Sequence, residues 1–450
     1  MSNERSSFTG KIGFVLAAAG SAVGLGNIWR FPYLAAKYGG GIFLLTYLVL
    51  AVTFGFALMV TEIAIGRKTG QSAIGAYKKL SRKFSFVGWL AALIPAIILP
   101  YYSVIGGWVT KYLYTFLTGP SAAMEGGKAF FGAFVSQPLE PLFWFAVFIG
   151  ITAIVVFLGV EKGVEKVSKI MMPILVFLSL GIAIYCMCLP GAWEGVLYYI
   201  TPDFSKFSVE LLLGAMGQLF YSMSLAMGIM ITYGSYMKKD VSIEASVRQI
   251  EIFDTGIAFL AGLMIVPATF VFSGGGDINQ GPGLMFGTLP QVFAGMPMGQ
   301  AIGALFFLLV LFAALTSSIS LMETVVSILQ DKLGWKRPVS CIAVFLGALL
   351  LGVPSSLGNG AWSHIMPLGM GILDFFDFIS NSVMMPVVAL LTAIFVGYVL
   401  KPKTIIEEVE LTAPFKSKTL YTVVIKYVAP VCILLILVSS VLSALGLITI

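Results

Sequence analysis

The sequence of 450 residues is 58% hydrophobic and only 11% charged, with a formal net charge of +6. Soluble globular proteins carry about 25% charged residues, so this chain has too few charges to cover a water-exposed surface. The composition therefore excludes an ordinary soluble protein and predicts an integral membrane protein whose outer surface mostly faces lipid.

Eleven apolar stretches, each bounded by charged or turn-forming residues, are long enough to cross a bilayer. A membrane-spanning helix needs about 20 predominantly apolar residues, so the predicted fold class is all-α integral membrane. We number the predicted spans 1 to 11 in chain order. They cover residues 11–35, 41–66, 86–117, 139–159, 168–189, 208–236, 247–273, 299–330, 338–353, 367–400 and 419–448.

Lysine and arginine are concentrated on one side of the predicted membrane. They are frequent before span 1 and in every second connection, whereas the alternate connections contain few. Because positively charged loops remain in the cytoplasm, this pattern places the N-terminus in the cytoplasm and, after eleven spans, the C-terminus outside. The basic residues thus indicate membrane orientation and argue against nucleic-acid binding.

Span 1 contains three glycines in its interior, Gly20, Gly24 and Gly26. Each costs a helix about 1 kcal/mol relative to alanine. Unpaired backbone groups are very unfavourable in lipid, so a break here must be buried and its carbonyls must find a partner. A bound cation is one such partner. Close helix packing through small residues explains the glycines equally well.

Span 6 repeats the pattern, because residues 217–228 read GQLFYSMSLAMG in the middle of an apolar segment. Spans 1 and 6 are the first members of two sets of five. Matching interruptions in such positions indicate a 5+5 inverted repeat with a binding site at the bilayer midplane. The predicted divisions are 1–189 for spans 1–5, 190–400 for spans 6–10, and 401–450 for a cytoplasmic linker with span 11.

The ends of broken helices also indicate the chemistry of the ligand. Half-helix N-termini favour an anionic group and half-helix C-termini favour a cation, so a zwitterion with a cation suits the site. Span 8 adds a cluster of hydroxyl side chains at residues 316, 317, 318 and 320. These hydroxyls could serve the cation, although helical hydroxyls often bond only their own backbone.

Residues 24–32 read GLGNIWRFP and residues 39–41 are three glycines. These residues resemble the first-span signature of the neurotransmitter:sodium symporters. The resemblance continues through span 6 and residues 315–318, and covers essentially the whole chain. The number of predicted spans, eleven, is similar to that of many bacterial amino-acid transporters of this family. The resemblance implies sodium-coupled uptake of an amino acid by alternating access in the plasma (bacterial inner) membrane.

The resemblance also implies two sodium sites and a substrate site. Sodium site one would use Ala22, Asn27, Ser222 and Asp254, completed by the substrate carboxylate. Sodium site two would use the carbonyls of Gly20, Val23 and Ala313 and the hydroxyls of Thr316 and Ser317. Oxygen ligands of this kind suit a hard cation. The substrate site would contain Ser21, Ala22, Leu25, Gly26, Ile98, Tyr102, Tyr221, Ser222, Ser224, Ala226, Met227, Ser317 and Leu321.

The substrate class is indicated by Gly24, where monoamine-transporting relatives have an aspartate. Without that acid the ligand should bring its own carboxylate, which favours an α-amino acid. The resemblance implies that the Tyr102 hydroxyl binds the substrate carboxylate and that Tyr221 lies over the substrate as a lid. Ala226 narrows the pocket and Met227 gives a pliable wall, so we expect a neutral, hydrophobic or aromatic side chain.

Chloride dependence is expected to be absent. Asp254 stands where many relatives have asparagine, and Ala258 stands where chloride-dependent relatives have serine. A second anion is needed only where fixed negative charge is missing, so Asp254 would supply that charge. The same carboxyl is a candidate for proton exchange on the return step.

Gates on the two sides of the site are implied by the same resemblance. Arg30 and Asp377 would close the outside, directly or through water, and Arg5 and Asp331 would close the cytoplasmic side beside Phe8 and Tyr236. From spacing alone, Arg5 and Asp331 could equally be solvated loop charges. Ionisable groups within spans are costly, so Glu62 should find a polar partner near the unwound region.

Two other classes of protein compete with a transporter as interpretations of the sequence. A membrane receptor that senses amino acids would use the same pocket without coupled accumulation, but the chain has no sizeable soluble signalling domain. An enzyme is not expected, because no nucleophile–base pair is visible and the four cysteines and single histidine lack metal-site spacing. The expected partners are the amino acid, sodium ions and the lipid bilayer, with no nucleic acid.

Overall fold

The computed structural model describes residues 7–273 and 282–444. Arg5, predicted as a gate residue, lies outside these ranges. Within them, nine helices are long and apolar enough to cross a membrane. These are spans 2 to 5 and 7 to 11, with bounds Gly41–Thr69, Arg82–Thr118, Glu140–Phe157, Val160–Met187, Ile243–Phe272, Gly299–Leu333, Arg337–Leu357, Ile372–Val399 and Lys418–Ser443.

Spans 1 and 6 are each made of two helices. Span 1 consists of Lys11–Ala22 and Gly26–Lys37, which are bent by 55° relative to one another. Span 6 consists of Val209–Ser222 and Ile229–Ser235. Short helices occupy the connections between spans, namely Ala73–Leu80, Ser121–Gly126, Lys128–Val135, Ala192–Ile200, Leu289–Gly295 and Pro402–Val409.

Nine of the predicted spans, and span 1 if its bent pair is counted as one span, are long and apolar enough to cross a membrane among the described residues, whereas the two helices of span 6 match its position but not that criterion. Several spans begin earlier than predicted. Span 5 starts at Val160, whereas its apolar stretch starts at residue 168. The reason is that hydropathy detects only the segment in the hydrocarbon core, while helices continue into the polar headgroup region. Glu165, in the first turns of span 5, binds the backbone N–H of Thr9, 2.9 Å away.

The interruption in span 6 is visible in its backbone dihedral angles. Ser224, Ala226 and Gly228 have φ values of 53°, 63° and 71°, so residues 223–228 cannot continue the right-handed helix. A non-glycine residue in this region costs about 1–3 kcal/mol and persists only where its surroundings hold it. In span 1 the first helix ends at Ala22, because Val23 is extended at φ −72° and ψ 106°.

Both breaks lie in the interior of the helix bundle. Span 8 packs along span 3, and the first half of span 1 contacts spans 5, 7 and 8. The second half of span 6 packs closely against span 2. The interrupted backbone is therefore enclosed by other helices, as unpaired amides at membrane depth require.

Gly66→Ala is expected to lower the thermal unfolding midpoint of the detergent-solubilised protein. A Cβ at Gly66 would collide with the Ile231 carbonyl oxygen across the contact between spans 2 and 6. Overpacking a tight contact costs about 1–3 kcal/mol. Gly347→Ala is the matched control, because the added Cβ in span 9 meets no atom within 4 Å. Equal midpoints for the two variants would contradict the contact.

Candidate functional site

A cavity lies where the two breaks face spans 3 and 8, with about 380 Å³ of space not occupied by atoms. Its wall is mostly apolar, with a few hydroxyls and exposed backbone from the unwound segments. It is formed by Ser21, Ala22, Gly24, Leu25, Gly26, Asn27, Ile98, Tyr102, Tyr221, Ser224, Met227, Ile229, Ser317 and Leu321.

Every predicted substrate-site residue lines this cavity except Ser222 and Ala226. The Ser222 hydroxyl instead donates to Asp254 Oδ1 at 2.7 Å. The Ala226 backbone N–H donates to Glu62 Oε1 at 2.6 Å. The expectation that Glu62 has a polar partner at the unwound region thus agrees with the structure. An unwound segment has no helical period, so the direction of each side chain could not be read from spacing.

Two residues that matter here were not predicted as site residues. Ile229 opens the second helix of span 6 and supplies apolar wall. Gln218 donates from Nε2 to the Gly26 carbonyl at 2.9 Å and so holds the break in span 1 against span 6. Gln218 could have been predicted from the sequence, because an amide side chain within an apolar span is expected to be buried and then needs a hydrogen-bond partner.

Polar atoms at one end of the cavity are available to a ligand. The Tyr102 hydroxyl is buried beside the Ser317 hydroxyl and the Leu25 backbone, and it forms no well-aligned hydrogen bond among the described residues. Gly24 lies beside it, since a Cβ there would be 2.7 Å from Ser317 Oγ and 3.3 Å from the Tyr102 hydroxyl. The backbone at Gly24 therefore approaches the Ser317 hydroxyl more closely than a Cβ would allow with the hydroxyl in its present position. A buried unpaired hydroxyl is costly, which makes Tyr102 a natural donor to a ligand anion.

The side chains predicted for sodium site one are in mutual contact and fully buried. Asn27 Nδ2 lies 2.9 Å from Ser222 Oγ and 2.7 Å from Asp254 Oδ1. Asn27 Oδ1 accepts from the Gly24 N–H at 3.0 Å. Tyr47, on span 2, donates its hydroxyl to the second Asp254 oxygen at 3.2 Å. Three spans and the span 1 break thus meet at one carboxylate.

The groups predicted for sodium site two also lie at one contact, between the span 1 break and span 8. The Ser317 hydroxyl is 3.2 Å from the Ser21 carbonyl and 3.3 Å from the Val23 carbonyl. The Thr316 hydroxyl is 3.1 Å from the Ala313 carbonyl. A Cβ at Gly20 would be 3.2 Å from Thr316 Cβ, so the two segments touch. Helix packing through small residues and a cluster of oxygen atoms therefore coexist here.

The outer gate residues face each other without a direct ion pair. In the described structure, no guanidinium nitrogen of Arg30 lies within 4.0 Å of a carboxylate oxygen of Asp377. Of the two predicted forms of this gate, direct and water-mediated, only the water-mediated form is compatible with this distance. The Arg30 guanidinium lies 5.7 Å from the centre of the Tyr221 ring. Asp377 accepts from the Tyr101 hydroxyl at 3.1 Å. Tyr221 closely covers Gly26, as a lid would.

On the opposite side, Asp331 accepts from the Ser72 backbone N–H at 2.7 Å. Phe8 is buried and packs edge-to-face on Tyr233 and Tyr236, with ring centres 5.5 Å and 6.0 Å away. The segment before span 1 is therefore docked onto span 6. The pairing of Arg5 with Asp331 stays a prediction.

Glu62→Leu is expected to abolish substrate binding, whereas Glu62→Gln should retain much of it. The leucine variant leaves the buried Ala226 N–H without an acceptor, while a glutamine oxygen can replace Glu62 Oε1. Such a loss costs about 1–3 kcal/mol, and it falls on a residue whose backbone is already strained. Equilibrium binding of radiolabelled ligand to the purified variants measures the difference. Equal loss in both variants would show that the carboxylate charge, not the hydrogen bond, is what matters.

A model of the sodium:neurotransmitter symporter family matches residues 5–130 and 138–447. The chain belongs to this family. It is 35% identical to an uncharacterised sodium-dependent transporter, YhdH, of Bacillus subtilis, over 95% of each chain. It is 33% identical to an uncharacterised sodium-dependent transporter of Haemophilus influenzae, over 97% of this chain and 98% of the relative.

A more distant relative is the sodium- and chloride-dependent taurine transporter of Rattus norvegicus, with 27% identity over 84% of this chain and 68% of that one. Among solved structures, the crystal structure of MhsT in complex with L-phenylalanine superposes with a TM-score of 0.88. The two chains are 37% identical, and the match covers 97% of this chain and all of MhsT.

Membership of the family confirms several predictions. The protein is a multi-pass, all-α sodium-dependent symporter and not an enzyme. Among the described residues, no group of three or more histidine, cysteine, aspartate or glutamate side chains is arranged to hold a metal. The roles of individual site residues stay predictions, and they are developed below from the contacts just described.

Proposed function

We propose that this protein imports a neutral, hydrophobic or aromatic L-amino acid across a bacterial plasma membrane together with sodium and without chloride. The observation that carries the proposal is the end of the cavity at Gly24 and Tyr102. An unpartnered hydroxyl there can donate to a carboxylate, and no acidic side chain is present to take an amine. The rest of the wall is apolar, including Ile98, Met227 and Leu321.

A carboxylate at this end would lie beside the proposed sodium site one. Asn27, Ser222 and Asp254 converge there from three segments. A cation would need the oxygen of the Asn27 side chain, so the amide would rotate and release its bond to Asp254. Binding of ion and substrate would then be coupled, because each completes the coordination of the other.

The second proposed sodium site joins the span 1 break to span 8. The hydroxyls of Thr316 and Ser317 and the carbonyls of Val23 and Ala313 provide oxygen ligands, as a hard cation prefers. Because span 1 and span 8 would both ligate the ion, its binding would favour the arrangement in which these helices touch. An ion can shift the conformational equilibrium only through such a difference between states.

Chloride independence is supported by the surroundings of Asp254. This carboxylate is fully buried, and Tyr47 holds its second oxygen. Ala258, one turn later on span 7, is also fully buried and offers no hydroxyl to an anion. Fixed negative charge beside site one is therefore already provided, and the same carboxyl could carry a proton on the return step.

Alternating access would use the two gates in turn. Tyr221, Arg30 and Asp377 would close the outer side after binding, and the contact around Asp331 and the Phe8 segment would then open. The two halves, residues 1–189 and 190–400, would supply the moving and supporting helices around the breaks. The charge distribution supports a cytoplasmic N-terminus and an external C-terminus. MhsT, whose structure contains L-phenylalanine, supports an aromatic amino acid as substrate.

Uptake into proteoliposomes tests the proposal. A mixture of radiolabelled amino acids is offered to the purified protein with an inward sodium gradient, with potassium replacing sodium, and with gluconate replacing chloride. We expect accumulation of hydrophobic or aromatic amino acids that requires sodium and survives removal of chloride. A requirement for chloride at saturating sodium would overturn the role given to Asp254.

The alternative is an amino-acid-sensing receptor with the same pocket. It would bind ligand in equilibrium measurements on the same preparation, yet would show no sodium-driven accumulation. Uptake that is indifferent to sodium would instead show that the oxygen clusters around Asp254 and Thr316 do not hold the coupling ion.

A further inference from the structure

A second large cavity lies far from the transport site, between the ends of spans 10 and 11 and the helix Pro402–Val409. It is open to the surface and has about 1210 Å³ of unoccupied space, including the solvent space at its mouth. Four lysines line it, Lys401, Lys403, Lys418 and Lys426, against only two carboxylates, Glu407 and Glu410. Nothing in sodium-coupled amino-acid transport requires a basic cavity at this position.

Two of these lysines are already neutralised and two are not. Lys403 pairs with Glu407 at 3.8 Å and Lys418 with Glu410 at 3.4 Å. Lys401 and Lys426 form no ion pair with any carboxylate in the described ranges. The cavity therefore presents two ammonium groups without a carboxylate partner. An anion from outside the chain would neutralise their charge.

The position of Lys426 makes this charge unusual. It lies eight residues into span 11, about 12 Å from the start of the helix at 1.5 Å per residue. A lysine at that depth is unfavourable unless its ammonium reaches the interface or meets a counter-ion. Lys426 is half-buried and turned into the cavity, so the cavity gives its ammonium a polar route to the membrane surface.

The backbone around the cavity is shaped to hold the two free lysines there. Both spans contain a π-helical turn at this level, Phe395–Val399 and Val424–Val428. The Tyr398 hydroxyl donates to the Lys426 carbonyl at 2.6 Å and ties the two turns together. Lys401 has a φ of 67°, an unfavourable conformation for a residue with a side chain, at the reversal before Pro402.

The surface beside the cavity is apolar and exposed. Tyr427 is 62% exposed, and several valines on the same spans are also exposed, namely Val399, Val423 and Val428. An occupant of the cavity would thus meet ammonium groups and an adjoining apolar surface at once. That combination suits an amphiphile with an anionic head better than a soluble anion.

We propose that this cavity binds the headgroup of an anionic phospholipid, with the phosphate held by Lys401 and Lys426 and the acyl chains against the exposed faces of spans 10 and 11. Basic pockets between helices at the membrane surface are suited to such headgroups. The proposal is independent of which amino acid is transported.

Native mass spectrometry of the full chain, released from nanodiscs of equal phosphatidylglycerol and phosphatidylcholine, tests the site. The parent protein should retain phosphatidylglycerol preferentially. The double variant Lys401→Gln/Lys426→Gln should bind it about thirtyfold more weakly, as expected for two lysines at a membrane surface. The double variant Lys162→Gln/Lys166→Gln is the matched control, because it removes two exposed lysines of span 5 that do not line the cavity.

Three further outcomes decide the proposal. Lys401→Arg/Lys426→Arg should keep the preference, since arginine also binds phosphate, and this variant separates loss of charge from loss of folding. Equal retention by the parent and the glutamine variant would overturn the site. Displacement of phosphatidylglycerol by millimolar inorganic phosphate would also overturn it, because it would identify a site for a soluble anion.

Discussion

Gly24→Ala is expected to abolish sodium-driven amino-acid uptake. The new Cβ would lie 2.7 Å from Ser317 Oγ and 3.3 Å from the Tyr102 hydroxyl. The Ser317 hydroxyl would have to turn away from the Ser21 and Val23 carbonyls, or span 1 would have to shift, and either change disturbs the groups proposed to hold the second sodium and the substrate carboxylate. A displacement of about 1 Å at such a site can cost a hundredfold in rate. Initial rates of uptake into proteoliposomes measure the effect.

The matched control for this variant is Gly181→Ala, a glycine of span 5 where an added Cβ meets nothing within 4 Å. It should transport at the parent rate. If Gly24→Ala retained more than about a tenth of the parent rate, the close approach at Gly24 would not be required for binding. Preserved thermal stability of both variants would confirm that the comparison reports on the site and not on folding.

The second large effect is expected for Asp254→Asn, which keeps the shape of the side chain and removes its charge. Cation affinity depends on ligand charge, so the sodium concentration for half-maximal uptake should rise by about tenfold or more. The hydrogen bonds from Asn27, Ser222 and Tyr47 all converge on this carboxylate, which fixes it at the proposed site one. Uptake measured over a range of sodium concentrations at constant ionic strength gives the shift.

Glu251→Gln is the control for charge removal, because Glu251 is buried one turn earlier on the same span. Its carboxylate pairs with Arg248 at 3.1 Å and lies outside the cluster at Asn27. Its sodium dependence should be close to that of the parent protein. A shift equal to that of Asp254→Asn would mean that charge near span 7 matters in general and that Asp254 is not a direct ligand.

The fold could largely be predicted from the sequence, because the hydropathy of a segment and the position of its glycines determine where helices form and break without reference to distant residues. The eleven spans follow from apolar length, and the two breaks follow from glycines and polar residues within spans 1 and 6. Helix ends were less predictable, since polar turns such as those before residue 168 remain helical in the headgroup region. The hydroxyl cluster of span 8 could also be recognised in the sequence, but its assignment to a sodium site rested on the family resemblance.

The remainder of the site depends on contacts between distant segments. Nothing local distinguishes Ser222, which turns to Asp254, from Ser224, which lines the cavity. Gln218 could be suspected as a buried amide, but its partner, the Gly26 carbonyl, belongs to another span. The same holds for Arg67, whose buried guanidinium binds Glu408 at 2.9 Å and joins the end of span 2 to the helix Pro402–Val409.

The hydrogen bonds at the two breaks bear on the step that follows release of the cargo. Gln218 holds the Gly26 carbonyl, Glu62 holds the Ala226 N–H, and the Ser224 hydroxyl donates to the Ser21 carbonyl at 2.9 Å. These partners belong to the protein itself. We therefore expect an unloaded carrier to keep these bonds as it reorients, because exposing those backbone groups to hydrocarbon would cost several kcal/mol each. The two breaks would then act as permanent joints of the carrier and would not have to be melted and re-formed in each cycle.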